Sequence, residues 1–325
     1  MKRRTLLAGL CAIVFMCTAQ AQQSAAVPKI GVLTMGMGVS SPHLEAFRQG
    51  LREHGYIEGK TIVLEYRFAQ GHVDRLPGLA AELVRLNVNV ILTEGVPTAL
   101  AANQATREIP IVIGGGAADP VKAGLAASLA RPGGNVTGVS FSGANRTGKQ
   151  LQLLKESVPS AVIVAVLYNP TRPDIEDELK EASETARSLG LGLKLVAVRS
   201  PDDFDTAFEA VKGARSSGMI TIGHGMFLGN SKRVVDFALK NRLPGVFPER
   251  EFADAGGLMA YGPDIGSNFR RAASFVDRIL RGAKPSDLPI ELSTKWGLVV
   301  NLRTAKVLGL KIPGSVLVRA DEVIQ

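Results

Sequence analysis

The stretch KIGVLTMGMGVSSPHLEAFRQGL (residues 29–51) holds the unit from which the rest of the chain is built. A near-continuous apolar run, Ile30 to Met35, gives way to a loop of Gly, Ser and Pro, and then to Leu44, Phe47 and Leu51 at helical spacing. Ser41 before Pro42 supplies a cap and a first-turn proline for that helix. The run lacks the alternation of a half-exposed strand, as expected where helices cover both faces of a sheet. A strand, a turn and an amphipathic helix in this order are half of a parallel α/β crossover.

The same unit recurs outward. Apolar runs at Ile62 to Tyr66, Val88 to Thr93, Ile111 to Ile113 and Val136 to Phe141 complete a first set. Runs at Val162 to Tyr168, Leu193 to Val198, Met219 to Ile222, Gly245 to Phe247 and Leu258 to Tyr261 make a second. Between them Leu76, Leu79, Leu83 and Leu86, and later Phe204, Phe208 and Val211, repeat at helical spacing. The expected fold class is α/β, with two Rossmann-like lobes of parallel strands joined by hinge strands near Phe141 to Arg146, Gly256 to Pro263 and Pro285 to Ser293. The expected division is residues 27–143 plus 257–287 for lobe 1 and 144–256 plus 288–325 for lobe 2.

Residues 1–21 read as a secretory signal peptide: Lys2, Arg3 and Arg4, an apolar stretch from Leu6 to Met16, and Ala19-Gln20-Ala21 before the cleavage point. The expected location is therefore periplasmic. Both cysteines, Cys11 and Cys17, fall inside this segment, so the exported chain is expected to hold no disulfide, thiolate nucleophile or Cys-ligated metal. The formal net charge of +8 includes the three positive charges of the leader, and the modest remainder gives no reason to expect a nucleic-acid partner. An apolar content of 46% suits a globular chain with two real cores.

Catalytic templates fail one by one. Gly36-Met37-Gly38-Val39-Ser40-Ser41 imitates a dinucleotide fingerprint but ends in Ser, and Gly138-Val139-Ser140-Phe141-Ser142 misses the nucleophile elbow for the same reason. No phosphate-binding GxxxxGK[ST] loop occurs, and the four histidines, His43, His54, His72 and His224, lack metal-ligand spacing. No cofactor, metal or catalytic residue is expected.

In open parallel sheets, ligands sit beyond the carboxyl ends of the strands, where helix N-termini offer free N–H groups. Small or polar residues occupy these positions at Thr34 to Ser41, Glu94 to Thr98, Gly114 to Pro120, Ser140 to Ser142, Asn169 to Thr171, Gly223 to Met226, Pro248 to Glu251 and Tyr261 to Asp264. The candidate ligand contacts are Ser40, Ser41, Glu94, Val96, Pro97, Thr98, Gly115, Gly116, Asp119, Phe141, Ser142, Tyr168, Asn169, His224, Glu249 and Tyr261. The run Gly114-Gly115-Gly116 implies a sharp turn or a close approach. Asp119, just before Pro120, also reads as an N-cap.

Several motifs carry a resemblance. Phe47-Arg48-Gln49-Gly50-Leu51, Glu65-Tyr66-Arg67, the run Ser128 to Gly138 (SLARPGGNVTG), Tyr168-Asn169-Pro170, Ala255-Gly256-Gly257-Leu258 and Arg319-Ala320-Asp321 resemble the solute-binding proteins of ABC transporters related to the tryptophan and tyrosine uptake group. The resemblance implies a type I periplasmic-binding-protein fold. It also implies a monomer that is not an enzyme, closing on a small-molecule solute for an inner-membrane ABC permease with its cytoplasmic ATPase. By that likeness Ser40 and Ser41 would be first-loop contacts, and Val96-Pro97-Thr98-Ala99 and Ala118-Asp119-Pro120 would match family helix starts. Gly223-His224-Gly225 stands where aromatic amino-acid binders carry an acidic residue for the α-ammonium, which leaves Glu94 or Glu249 to replace it. The solute class implied is amino acid-like, aromatic or carboxylate. A periplasmic sensory module and an enzyme on the same scaffold are the alternatives.

Overall fold

A computed structural model describes residues 27–36, 38–117, 119–141, 146–293 and 295–325. The expected leader and the candidate Ser142 lie outside the described residues. In chain order the strands are β1 (Lys29–Thr34), β2 (Val63–Phe68), β3 (Val90–Thr93), β4 (Ile111–Ala117), β5 (Val136–Phe141), β6 (Ile163–Tyr168), β7 (Gly192–Ala197), β8 (Gly218–Thr221), β9 (Gly245–Phe247), β10 (Met259–Pro263), β11 (Glu291–Leu292), β12 (Trp296–Asn301) and β13 (Glu322–Ile324). They form two sheets, ordered β11-β5-β4-β3-β1-β2 and β13-β12-β10-β9-β8-β6-β7.

Helices on both faces explain the near-continuous apolar runs. Ile30, Val32, Val90, Leu92 and Val112 point to one face of the first sheet, against Leu44, Phe47, Phe269 and Phe275 of helices Pro42–Glu53 and Ile265–Leu280. Leu33, Ile91, Ile111 and Ile113 point to the other, against Leu76, Leu83, Ala99 and Ala102 of helices Leu76–Arg85 and Val96–Ala105. Each large aliphatic side chain so buried contributes about 1.5–3 kcal/mol, so both faces are needed to hold the sheet. Gly50 is fixed by the helix crossing, since a Cβ there would stand 2.5 Å from the Arg270 carbonyl oxygen.

The chain crosses between lobes three times, and two crossings differ from expectation. β10, expected in the first lobe with residues 257–263, pairs with β9 in parallel and β12 in antiparallel fashion, and so belongs to the second sheet. β11, expected in the second lobe with residues 288–292, pairs with β5 in the first. The crossings therefore fall after β5, between Pro263 and Asp264, and between β11 and β12. β12 and β13 escaped prediction because Trp296-Gly297-Leu298-Val299-Val300 has no long helix behind it to complete a crossover unit.

The triple glycine is a bulge. The register of β4 against β5 shifts between Ile113 and Gly116, and Gly115 sits at φ 139°, where a Cβ would press on Asn268 at 2.9 Å. That bulge bends the end of β4 toward helix Ile265–Leu280 and carries Gly115 into the space between the lobes.

Candidate functional site

The carboxyl ends of β1, β3, β4 and β5 face those of β6, β8 and β9 across a closed cleft. At its centre lies a cavity of about 50 Å³. The first lobe lines it with Met35, Glu94, Pro97, Thr98, Gly115, Phe141 and Ile265, and the second with Arg172, Gly223, His224, Gly225, Leu228 and Glu249. The lobes meet through bare backbone. A Cβ on Gly36 would lie 2.1 Å from the Gly225 carbonyl oxygen, and one on Gly225 would lie 2.2 Å from Glu94 Oε1. These glycines set how tightly the cleft shuts.

Glu94 follows β3 and is buried. Its Oε2 accepts from the backbone N–H groups of Met35 (2.6 Å) and Gly36 (3.3 Å), which fixes the carboxyl under the first loop. Burial raises its pKa, although those donors and His43 pull the other way. Glu249 follows β9 and is 7% exposed, and its Oε2 has no hydrogen-bond partner. Burial pushes its pKa up to about 8; Glu251 and Glu94 add to the shift, while Arg146 and Arg172 oppose it. The cavity thus receives one buried carboxyl from each lobe, neither in an ion pair among the described residues.

His224 caps helix Gly225–Gly229, its Nδ1 accepting from the Met226 N–H at 3.2 Å. That bond assigns the proton to Nε2, which is buried without a partner. Burial, helped by the charge of Arg172, pushes its pKa down to about 3, so the ring is neutral.

Behind this lining lies a second buried ionic group. Arg172 donates from Nε to Asp174, from Nη1 to the Gly223 carbonyl at 3.0 Å and from Nη2 to Glu178. Arg146, 1% exposed, donates from Nη2 to the other Glu178 oxygen at 3.3 Å, and its guanidinium lies 5.5 Å from the Phe141 ring centre. Burial works to raise the Glu178 pKa, but the two guanidiniums and Thr147 overcome it and hold the carboxyl below its usual range. Gly223 makes room for this arrangement, since a Cβ there would meet Arg146 Nη1 at 2.8 Å.

Of the sequence candidates, Glu94, Pro97, Thr98, Gly115, Phe141, His224 and Glu249 gather at the cavity. Ser40 and Ser41 do not: Ser40 is exposed, and Ser41 caps helix Pro42–Glu53 and lines an outer groove. Val96 turns into the core, and Gly116 pairs with Ser140 in the sheet. Asp119 accepts from Val121 N–H at 2.8 Å and Lys122 N–H at 3.3 Å, as a cap does, and borders a recess of about 280 Å³ beside the cavity. Asn169 is spent on Thr171 and the Arg199 carbonyl. Tyr168 and Tyr261 pack on the second-lobe core, Tyr261 beside Trp296.

Sequence reasoning missed Met35, Arg172, Leu228 and Ile265. Arg172 had one usable signal, its place just past Tyr168-Asn169-Pro170 at a strand end. On the far side of the cavity a recess of about 340 Å³ opens beside Glu249, His43 and Asp321. Contacts between the lobes brace both flanks: Lys122 Nζ stands 2.6 Å from Asp177 Oδ2, and His43 Nε2 stands 2.7 Å from Glu251 Oε1. Among the described residues no cluster of His, Cys, Asp and Glu is suited to a metal ion.

Two α/β lobes, three crossings and a cavity lined from both lobes at facing strand ends define a protein of the type I periplasmic-binding fold. The profile of the ABC transporter substrate binding protein family matches residues 34–324, and the chain belongs to that family. It is 24% identical over 278 residues to a tyrosine-binding protein of Clostridioides difficile, covering 84% of this chain and 79% of that one. A solved ABC domain from Streptococcus pneumoniae in complex with L-Trp is 26% identical, with TM-score 0.80, over 91% of this chain and 99% of the other. A conserved domain protein from Vibrio cholerae is 28% identical, with TM-score 0.81 over the same shares.

Proposed function

We propose that the chain is the exported receptor of an ABC importer. It closes its two lobes on a small organic solute of amino acid-like, aromatic or carboxylate chemistry and delivers that solute, unaltered, to an inner-membrane permease driven by a cytoplasmic ATPase. It works in the periplasm as a monomer and catalyses no reaction. The observation that carries this reading is the central cavity, whose polar lining comes from both lobes and keeps buried atoms without partners, Glu249 Oε2 and His224 Nε2. Such atoms cost free energy unless a ligand meets them. A ligand drives closure only through its greater affinity for the closed state, so contacts from both lobes are what a receptor of this kind requires. The tyrosine-binding and L-Trp-bound relatives support solutes bearing an amine.

The test is a thermal-shift screen of the exported chain against amino acids, amines, carboxylates, aromatic acids and sugars, followed by calorimetry and chemical recovery of each hit. One-to-one binding at micromolar affinity with the solute recovered intact is expected. A solute recovered as a different compound would make the protein an enzyme.

A further inference from the structure

We propose that the solute selected by this cleft is a compact organic cation, its ammonium group held between Glu94 of the first lobe and Glu249 of the second. The inference rests on the receptor reading and narrows it to solutes whose positive charge is not matched by a carboxylate of their own.

The charges around the cavity decide this. Four ionisable groups line it: Glu94, Glu249, Arg172 and His224. Arg172 is committed, each of its three nitrogens donating to Asp174, Gly223 or Glu178. Arg146 shares Glu178 with Arg172 and sits behind Gly223, off the cavity wall, with its Nε and Nη1 buried without hydrogen-bond partners. His224 is held neutral by its buried place beside Arg172. The charged groups that act on Glu249 are Arg146, Arg172, Glu251 and Glu94; the two arginines already face Glu178, and Glu251 faces His43. Arg250, its neighbour in sequence, points away to Asp254 and Glu322. The cavity wall therefore carries two buried carboxyls and, among the described residues, no cation on that wall free to pair with them, inside a chain whose formal net charge is +8.

An ammonium ion answers this need. It makes charge-assisted hydrogen bonds to the vacant Glu249 Oε2 and to Glu94 Oε1, and it removes the repulsion between carboxyls that approach as the lobes shut. Because the two groups come from opposite lobes, the cation binds the closed form far better than the open one. A carboxylate in the same space meets on the wall only Arg172, already bonded to three acceptors, while Arg146 stands back behind Gly223. His224 Nε2–H is a neutral donor suited to a hydroxyl or carbonyl oxygen of the same solute. Size points the same way. A cavity of about 50 Å³ holds a few water-sized groups, at roughly 10–15 Å³ for one, which suits a small cationic head group beside the two carboxyls.

Calorimetry with propylamine, 2-aminobutyrate and butyrate tests the proposal, because these probes share a carbon frame and differ in being cationic, zwitterionic and anionic. The wild-type chain is expected to bind propylamine at least tenfold tighter than 2-aminobutyrate and to give no heat with butyrate. Glu249→Gln and Glu94→Gln, each checked for a native circular dichroism spectrum, should each weaken propylamine at least tenfold. Equal or tighter binding of 2-aminobutyrate or butyrate overturns the cation claim and leaves the receptor standing, as does wild-type propylamine affinity in both folded variants. Silence from all three probes also overturns it. The receptor reading falls as well only if native mass spectrometry and the wider solute screen find no bound small molecule of any class.

Discussion

Two groups of buried ionisable side chains meet near the cleft, and they are built on opposite rules. In the second lobe Glu178 lies between Arg146 and Arg172, Thr147 donates to Glu178 and Asp174 accepts from Arg172, and opposite charges offset one another within the protein. In the cavity Glu94 and Glu249 approach from different lobes, neither in an ion pair among the described residues, and burial holds the Glu249 pKa up at about 8. The first arrangement pairs its charges without a ligand, although Arg146 Nε and Nη1 keep no hydrogen-bond partner, and it fixes the loop after β6. The second is incomplete and costs the closed state free energy until something positive enters. A buried charge that is matched holds the fold, and one that is unmatched is available for binding.

The largest expected effect lies in the matched group. Glu178→Gln should strand two buried guanidiniums and destabilise the protein by about 3–5 kcal/mol, read by urea unfolding at pH 7. A loss below 1 kcal/mol would erase the contrast between the two groups. Glu249→Gln should act the other way. Its closed-form pKa of about 8 stands above the ordinary 4.5, so its contribution is fully present below pH 4.5 and is lost as pH rises through 8. Between pH 6 and pH 9 the ligand-free wild type should lose about 2–3 kcal/mol of closed-state stability. Melting scans should show the variant gaining on the wild type as pH increases. His224 has the opposite sign: its lowered pKa gives stability present above pH 6.5 and lost as pH falls toward 3, so His224→Gln should flatten the acid limb of the same scans.

Smaller changes sharpen the picture further out. Gly225→Ala places a methyl group against Glu94 Oε1 and should cut solute affinity about tenfold, or about 1.4 kcal/mol, while unfolding changes less than that. Asp119→Ala removes a cap beside the cleft and should cost about 1 kcal/mol in thermal unfolding with affinity unchanged. Lost binding without lost stability would make Asp119 a ligand contact.

The fold was legible because its signals are local. The covered strands and capped helices were written in apolar runs and in residues such as Ser41 and Asp119. The motifs that carried the resemblance proved to be supports of the framework. Gly50 admits the Arg270 backbone, Arg48 bonds Tyr66 at 2.9 Å, and Asn135 ties Asn103 to the carbonyls of Thr106 and Ile109. The site was less legible because it is assembled by closure. Nothing near Arg172 in sequence announces that its charge is spent on Glu178, and nothing near Ile265 announces that the chain has just crossed from the second lobe to the first. Glu94 and Glu249 could be named from their strand ends, but their shared lack of a counter-ion appears only when the lobes meet.

The central claim is that unmatched carboxyls keep the ligand-free lobes apart. Small-angle X-ray scattering of ligand-free protein at pH 6 and pH 9 measures this without knowledge of the solute. With Glu249 protonated at pH 6 and ionised at pH 9, the radius of gyration should increase with pH in the wild type and stay constant in Glu249→Gln. A wild-type radius that is the same at both values, or an equal expansion in the variant, would contradict the account.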